Sequence, residues 1–147
     1  MLSKKTRYAM LALINLARNY DQGTTLISEI AKSEKIPQRF LENILLELKK
    51  LGILGSKLGK SGGYYLLKKP EEINLAIIVR HFEGTIALLY CVSEKAYQPC
   101  EFCKNEPDCS IRHVFKDIRD YSFNLLSRTT LKDLIEKPGN QLPATEI

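Results

Sequence analysis

No run of apolar residues here approaches the roughly 20 needed to cross a bilayer, and the apolar stretch near Met10 to Ala17 is broken by Asn15. That stretch also lacks the small-residue cleavage site that ends a secretory leader. The expectation is a cytoplasmic protein with no membrane partner, in a compartment that keeps thiols reduced. There is no internal repeat. Histidine is scarce, with two in the chain, and no His and Asx arrangement is spaced to activate a cysteine nucleophile. A strand-helix-strand pattern opening at a Cys-x-x-Cys pair is missing too, which counts against a thiol oxidoreductase. The phosphate-binding loop is imitated but not built. Gly59-Lys60-Ser61 has Leu54 where that loop needs its first glycine, and the residues after Ser61 read as strand rather than helix. An enzyme is therefore not expected.

What is present is an ordinary globular composition, 44% hydrophobic and 27% charged over 147 residues, enough for one compact domain or one domain with a small appendage. The net charge of +5 is unevenly placed. Residues 1–70 carry 13 Lys/Arg against 5 Asp/Glu, a net of +8, whereas residues 71–147 carry 9 against 12, a net of −3. The basic half is the one expected to meet a polyanion.

The basic half reads as three helices and a hairpin. Met10, Leu13, Ile14 and Ala17 recur at helical spacing within Lys4 to Tyr20. Thr25 is placed to cap a short helix from about Leu26 to Glu34, with Ile27, Ile30 and Ala31 inward. After a tight turn, Pro37 suits the first turn of a further helix and Gly52 its left-handed end. Phe40, Leu41, Ile44, Leu45, Leu48 and Leu51 form its apolar stripe, opposite Gln38, Arg39, Glu42, Asn43, Lys49 and Lys50. Two such helices make a helix-turn-helix, whose second helix enters the DNA major groove; a plain helical hairpin is the simpler alternative. Ile53-Leu54, a polar Gly-rich tip from Gly55 to Gly63, and Tyr64 to Leu67 then read as strand, tip and strand. A hairpin carrying Lys57 and Lys60 beside a recognition helix is a wing, able to reach phosphates or the minor groove.

Beyond Pro70 a helix from about Asn74 to Phe82 is expected to turn Ile77, Ile78 and Phe82 inward and to stop near Gly84. Ile111, Val114, Phe115, Ile118, Ser122, Leu125 and Leu126 mark a helix of about 18 residues whose apolar seam needs either its own domain or a second copy as partner. Thr130 and Asp133 resemble a capping box for a last helix, Leu131 to Glu136. The expected division is a DNA-binding domain at 1–70, a sensing region with a dimerisation helix at 71–136, and a flexible tail at 137–147.

Between these helices Cys91, Cys100, Cys103 and Cys109 fall within 19 residues. In a reduced compartment four clustered thiols read first as metal ligands. Zinc would accept them as a tetrahedron and an iron-sulfur cluster as four ligands at wider separation, and ligand type does not choose between the two. His113, four residues past Cys109, could replace one thiolate; exposure on the helix surface is its ordinary alternative. His81 has no comparable claim.

Taken together, Arg7-Tyr8-Ala9, Phe40-Leu41-Glu42 and Gly62-Gly63-Tyr64, supported by Lys4 to Thr6, Ile30-Ala31, the Pro37 to Leu51 helix and Thr130 to Leu134, resemble the dimeric winged-helix regulators typified by IscR, NsrR and CymR. The resemblance covers almost the whole chain. It implies a mainly α fold: a winged helix-turn-helix with a small β-hairpin wing and a long C-terminal dimerisation helix. It further implies a homodimer on a pseudo-palindromic operator in double-stranded DNA, acting as a repressor. In the cluster-binding branch, three cysteines hold a 2Fe-2S or 4Fe-4S iron-sulfur cluster and match Cys91, Cys103 and Cys109. The fourth ligand varies: where one branch has histidine this chain has Arg112, and where another has an acidic residue near the N-terminus it has Tyr8 or its neighbours. Cys100 is the candidate to fill that vacancy. Base reading by the family falls on Arg39, Phe40 and Glu42, with Gln38 beside them, and the family's wing arginine falls on Leu58, leaving Lys57 and Lys60 to supply charge. Structural zinc or a thiol-oxidation switch remains the alternative use of the cysteines.

Overall fold

The computed structural model describes residues 2–136, so the expected tail at 137–147 lies outside the described residues. Helices α1 (Lys4–Arg18), α2 (Ile27–Glu34) and α3 (Gln38–Lys50) are followed by strands β1 (Leu54–Lys57) and β2 (Gly63–Leu66). Helices α4 (Leu75–Glu83), α5 (Ser110–Arg128) and α6 (Leu131–Glu136) complete the chain. Short 3-10 turns lie at Pro70–Glu72 and Tyr90–Val92.

One apolar core joins α1, α2, α3 and the hairpin, and it does not stop at residue 70. Ile73, Ile78 and Leu131 are buried in the same cluster as Leu13, Ile30, Leu41, Ile44, Leu45 and Leu48. Each of these large side chains contributes about 1.5–3 kcal/mol by leaving water. The buried face of α1 is Ala9, Ala12, Leu13, Leu16 and Ala17 with Thr6, so it is rotated from the expected stripe, and Met10 and Ile14 sit at its edge. The small alanines let α3 and α6 approach α1 closely.

Local signals explain where α3 stops and how α2 hands over to it. Lys35, in the left-handed region at φ +54°, turns the chain after α2. At the other end of α3, Gly52 (φ +70°) donates its N–H to Lys49 O at 2.9 Å while Ile53 donates to Leu48 O at 3.1 Å, the paired bonds of a Schellman motif.

Three expectations are corrected here. Thr25 does not cap α2: its backbone exchanges two 2.9 Å hydrogen bonds with Tyr64, adding a bridge to the wing. The start of α2 is closed instead by the Glu29 carboxylate, which accepts from the Leu26 N–H at 3.1 Å. The wing strands also reach further into the hairpin tip than the polar composition suggests. Gly55, Ser56 and Lys57 belong to β1, paired with Tyr65, Tyr64 and Gly63, because the bare Gly55 backbone leaves room for the Tyr65 ring. On α4, Ala76, Ile78 and Val79 are buried and Ile77 points outward, since the helix starts one residue later behind its Asn74 cap.

α5 differs from every other long helix. None of its 19 residues is fully buried, although it packs against α4 and the Tyr90–Val92 turn. Its far end is tied back to the core: Leu75 donates to Thr129 O at 3.0 Å and Leu131 to Ile73 O at 2.9 Å. The Thr130 and Asp133 capping box then opens α6, with the Asp133 N–H donating to Thr130 Oγ1 at 3.2 Å and the Thr130 N–H to Asp133 Oδ2 at 2.9 Å.

Candidate DNA interface and cysteine centre

The outward face of α3 begins with Gln38, Arg39, Phe40, Glu42 and Asn43, all exposed. Phe40 leaves the expected apolar stripe; at 63% exposure it stands on the surface while Leu41 beside it is fully buried. A large ring held in water at the start of a helix is available to touch something else. It lines an open groove of about 420 Å³ with Lys4, Lys5, Tyr8, Pro37, Asn43 and Ile44. The proximity of the α1 start to the α3 start had no local signal in the sequence, because it arises from the packing of α1 across α3.

At the other end of α3, Lys49 Nζ donates to Ser56 Oγ at 2.7 Å, tying the recognition helix to β1. Lys57 lies 5.7 Å over the Tyr65 ring. The tip beyond it is held by Thr24 Oγ1, which donates to the Ser61 and Gly62 carbonyls at 2.9 Å. Gly63, at φ +134°, could not carry a side chain, since a Cβ there would sit 2.5 Å from Thr25 O. Leu58 stands fully exposed at the tip, close in sequence to Lys57 and Lys60. The helix and the wing thus form one braced, basic surface.

A polar cluster fixes the back of this surface. Glu47 on α3 accepts from Lys5 Nζ at 2.6 Å and faces His81 Nε2 at 3.2 Å, and the Lys5 hydrogen bond holds its carboxyl below the usual range. Glu83 at the end of α4 accepts from the Thr6 hydroxyl and, at 2.7 Å, from Ser3 Oγ. These bonds, the Thr6 one foremost, lower its pKa as well.

The four cysteines are all free thiols. Cys103 and Cys109 are neighbours within hydrogen-bonding reach. Cys109 is the N-cap residue of α5; its sulfur does not close a capping bond, yet the first-turn amides, Arg112 foremost and then Ile111, favour its thiolate and lower its pKa. Cys103 is pushed up, chiefly by its hydrogen bond with Cys109, while its S–H is positioned to donate to Asn105 O at 3.4 Å. Cys91 is buried in the Tyr90–Val92 turn and shares with Cys100 an open hollow of about 650 Å³, lined also by Leu89, Tyr90, Pro99 and Phe102. Among the described residues no three potential ligands stand close enough to hold a metal ion. The donor set therefore fits an iron-sulfur cluster or zinc by its chemistry, four thiol sulfurs on one polar loop, and reaches either arrangement only when the loop draws together. His113 is engaged elsewhere, its Nε2–H donating to Pro107 O at 2.7 Å.

Sequence reading missed two further residues. Arg112 Nε donates to Cys91 O at 3.3 Å, and Arg119 Nη1 donates to Val92 O. Their seven-residue spacing, which puts them on one helix face, was the available signal.

A winged helix-turn-helix with an exposed basic face, followed by a cysteine loop and a long uncovered helix, is the arrangement against which relatives can be compared. The Rrf2 family profile, described as iron-dependent transcriptional regulator, matches residues 2–137. The chain belongs to the Rrf2 family. It is 43% identical over 139 residues to an rrf2-like regulator of helix-turn-helix type from Rhodobacter capsulatus, covering 92% of both chains. It is 33% identical to the regulator NsrR of Oceanobacillus iheyensis, covering 92% of this chain and 89% of that one. Among solved structures, CymR, the global cysteine regulator of B. subtilis, superposes with a TM-score of 0.79 at 30% identity, covering 92% and 96%. T. potens IscR superposes with a TM-score of 0.72 at 25% identity, covering 92% and 86%. This Rrf2 protein is a DNA-binding transcription regulator of the winged-helix fold, and regulation of this kind is not an enzymatic activity. No helix among the described residues is long and apolar enough to cross a membrane.

Proposed function

We propose that this Rrf2 protein is a homodimeric repressor whose affinity for a pseudo-palindromic operator is set by an iron-sulfur cluster held by Cys91, Cys103 and Cys109, with Cys100 as the fourth ligand. One observation carries the reading: Cys109 occupies the N-cap position of α5, the one long helix among the described residues that buries none of its side chains. Ile111, Val114 and Ile118 are exposed along it, and a second copy of the same helix covers such a seam. The state of the cysteines and the geometry of the dimer thus meet at one helix turn.

Bound to the four sulfurs, the cluster would supply a redox-sensitive cross-link between otherwise separate thiolates. The chain's own residues do the rest. Cys103 and Cys109 hold the loop to the head of α5, and Cys91 and Cys100 must close toward them from the neighbouring hollow. Closure of the loop on α5 alters the spacing or tilt of the two recognition helices across the dimer. Gln38, Arg39, Phe40 and Glu42 face the bases, where Arg39 can pair with a guanine edge and Glu42 can accept from a cytosine amino group. Lys57 and Lys60 meet phosphates.

Oxygen-free purification with a visible spectrum, followed by operator binding of the loaded and metal-free forms, tests this. Visible charge-transfer absorbance and unequal affinities are expected; a colourless protein with about one zinc per chain ends the cluster reading. A second reading has its own observation. Because Cys103 and Cys109 lie near enough to shift each other's ionisation, a peroxide could join the two sulfurs as a disulfide, itself being reduced to water or to an alcohol and water. Metal-free protein whose DNA affinity responds to peroxide would favour that switch.

A further inference from the structure

We propose that Arg112 and Arg119 are the positioning residues through which the Cys91 turn moves the dimer helix. The proposal rests on the cysteine-controlled reading above and names the part of the chain that transmits the signal.

Cys91 differs from the other three thiols. It is buried, it lies outside the Cys100 to Cys109 segment, and it sits in its own 3-10 turn, Tyr90–Val92. That turn is closed by Val92 donating to Leu89 O at 3.2 Å and Ser93 donating to Tyr90 O at 3.0 Å. The turn's own hydrogen bonds therefore use the carbonyls of residues 89 and 90, and the next two in the chain, those of Cys91 and Val92, take their partners from α5. Arg112 Nε donates to the first at 3.3 Å and Arg119 Nη1 to the second. Seven residues separate the two arginines, two turns of helix, so successive carbonyls of one short turn are gripped from one face of α5.

Both guanidinium groups are held in place. Arg119 also donates from Nε to Asp120 Oδ1 at 2.8 Å, and Arg112 lies 3.6 Å from Glu106 Oε2. Arg80 extends the contact to α4: its guanidinium lies 4.0 Å over the Phe123 ring of α5 and donates to Glu94 Oε2 at 3.0 Å, two residues past the turn. Phe123 is one helical turn beyond Arg119.

The Cys91 sulfur and carbonyl share one Cα. If the sulfur is drawn toward Cys103 and Cys109, the carbonyl moves with it, and a charge-assisted hydrogen bond resists stretching more than a neutral one. Two such bonds in register make α5 follow the turn as a body rather than fray at its first turn. The staple couples ligand state to helix position through guanidinium bonds to carbonyls; Arg112 meets the Cys109 sulfur only through its backbone N–H, which a side-chain substitution leaves in place.

The test compares wild type with Arg112→Met/Arg119→Met, in which methionine keeps an apolar stem and removes the donors, and with Arg112→Lys/Arg119→Lys, which restores a donor. Three quantities are read for each: visible absorbance per chain after anaerobic loading, thermal unfolding, and the ratio of loaded to metal-free Kd on a duplex selected from random DNA by the wild-type protein. Expected are wild-type absorbance, a cooperative melt and a Kd ratio that collapses toward one in the methionine pair, with partial recovery in the lysine pair. A folded methionine pair that keeps the wild-type ratio overturns the proposal, as does one that loses the absorbance, because the arginines then build the site instead of transmitting from it. If the methionine pair fails to fold, the single Arg119→Met variant decides by the same two criteria, its expected ratio lying between wild type and one. A ratio near one in the wild type itself ends the cysteine-control reading and this proposal with it, an outcome visible before any variant is made.

Discussion

The winged half and the cysteine half are built to different standards of completeness. In the first, Leu13, Leu41, Leu45 and Leu48 are fully enclosed, both ends of α2 and the far end of α3 are closed locally, and the wing is braced at Thr24, Thr25 and Lys49. In the second, a 19-residue helix encloses none of its side chains, and the four thiols are only partly brought together. A single copy of the chain encloses the DNA-binding half and leaves the cysteine half with an open helix face. Burial supplies stability in the first half, and on the reading proposed above a bound group or second subunit would supply it in the second.

The contrast breaks most visibly under truncation of apolar side chains. Leu45→Ala removes a fully enclosed side chain and is expected to cost about 3 kcal/mol in urea unfolding. Val114→Ala, on the uncovered seam at 56% exposure, is expected to leave the stability of the dilute chain nearly unchanged and to weaken self-association in sedimentation. Equal stability losses at the two positions would mean that the seam at Val114 is covered within its own chain.

Next in size is the wing. Gly63→Ala places a Cβ against the Thr25 backbone in a conformation that side chains rarely adopt, and about 2 kcal/mol of stability is expected to go. DNA affinity should fall further than the stability loss explains, because the bridge that orients the wing is broken. A variant with unaltered melting and DNA binding would show that this bridge does not position the wing.

On the DNA face itself, Arg39→Ala is expected to cost about 1–3 kcal/mol and to relax preference at one base position. Lys57→Ala should weaken all sequences alike and lower the salt slope by about one. If Arg39→Ala changes the salt slope and no base preference, Arg39 is a phosphate contact.

The sequence disclosed what is decided within a few residues. The Gly52 stop, the Thr130 and Asp133 box, the α5 period and the basic bias of residues 1–70 all belong to that class. Contacts set by remote partners were not legible. Thr25 read as a cap because nothing nearby announces Tyr64, and Phe40 read as core because helical periodicity cannot tell the edge of a stripe from its centre. The candidate site divides the same way: four cysteines are evident from spacing, whereas the arginine grip on residues 91 and 92 requires α5 to fold back beside carbonyls 21 and 27 residues earlier in the chain.

The smallest expected effect concerns acid. Glu47 and Glu83 tie the start of α1 to α3 and α4, and both carboxyls are held below their ordinary range, Glu47 first by Lys5 and Glu83 first by the Thr6 hydroxyl. A carboxyl whose folded-state pKa is depressed stabilises the fold above its unfolded value, about 4.3, and that contribution is lost as pH falls through the folded value. The protein should therefore lose Tm on acidification below about pH 5 as these two carboxylates take up protons. Glu83→Gln keeps the shape but cannot ionise, so its Tm should be slightly lower at neutral pH and should fall less with acid. Solvent around these partly exposed groups keeps the difference small. Parallel Tm curves for the two proteins across that range would show that Glu83 holds α1 by shape and neutral hydrogen bonding rather than by its charge.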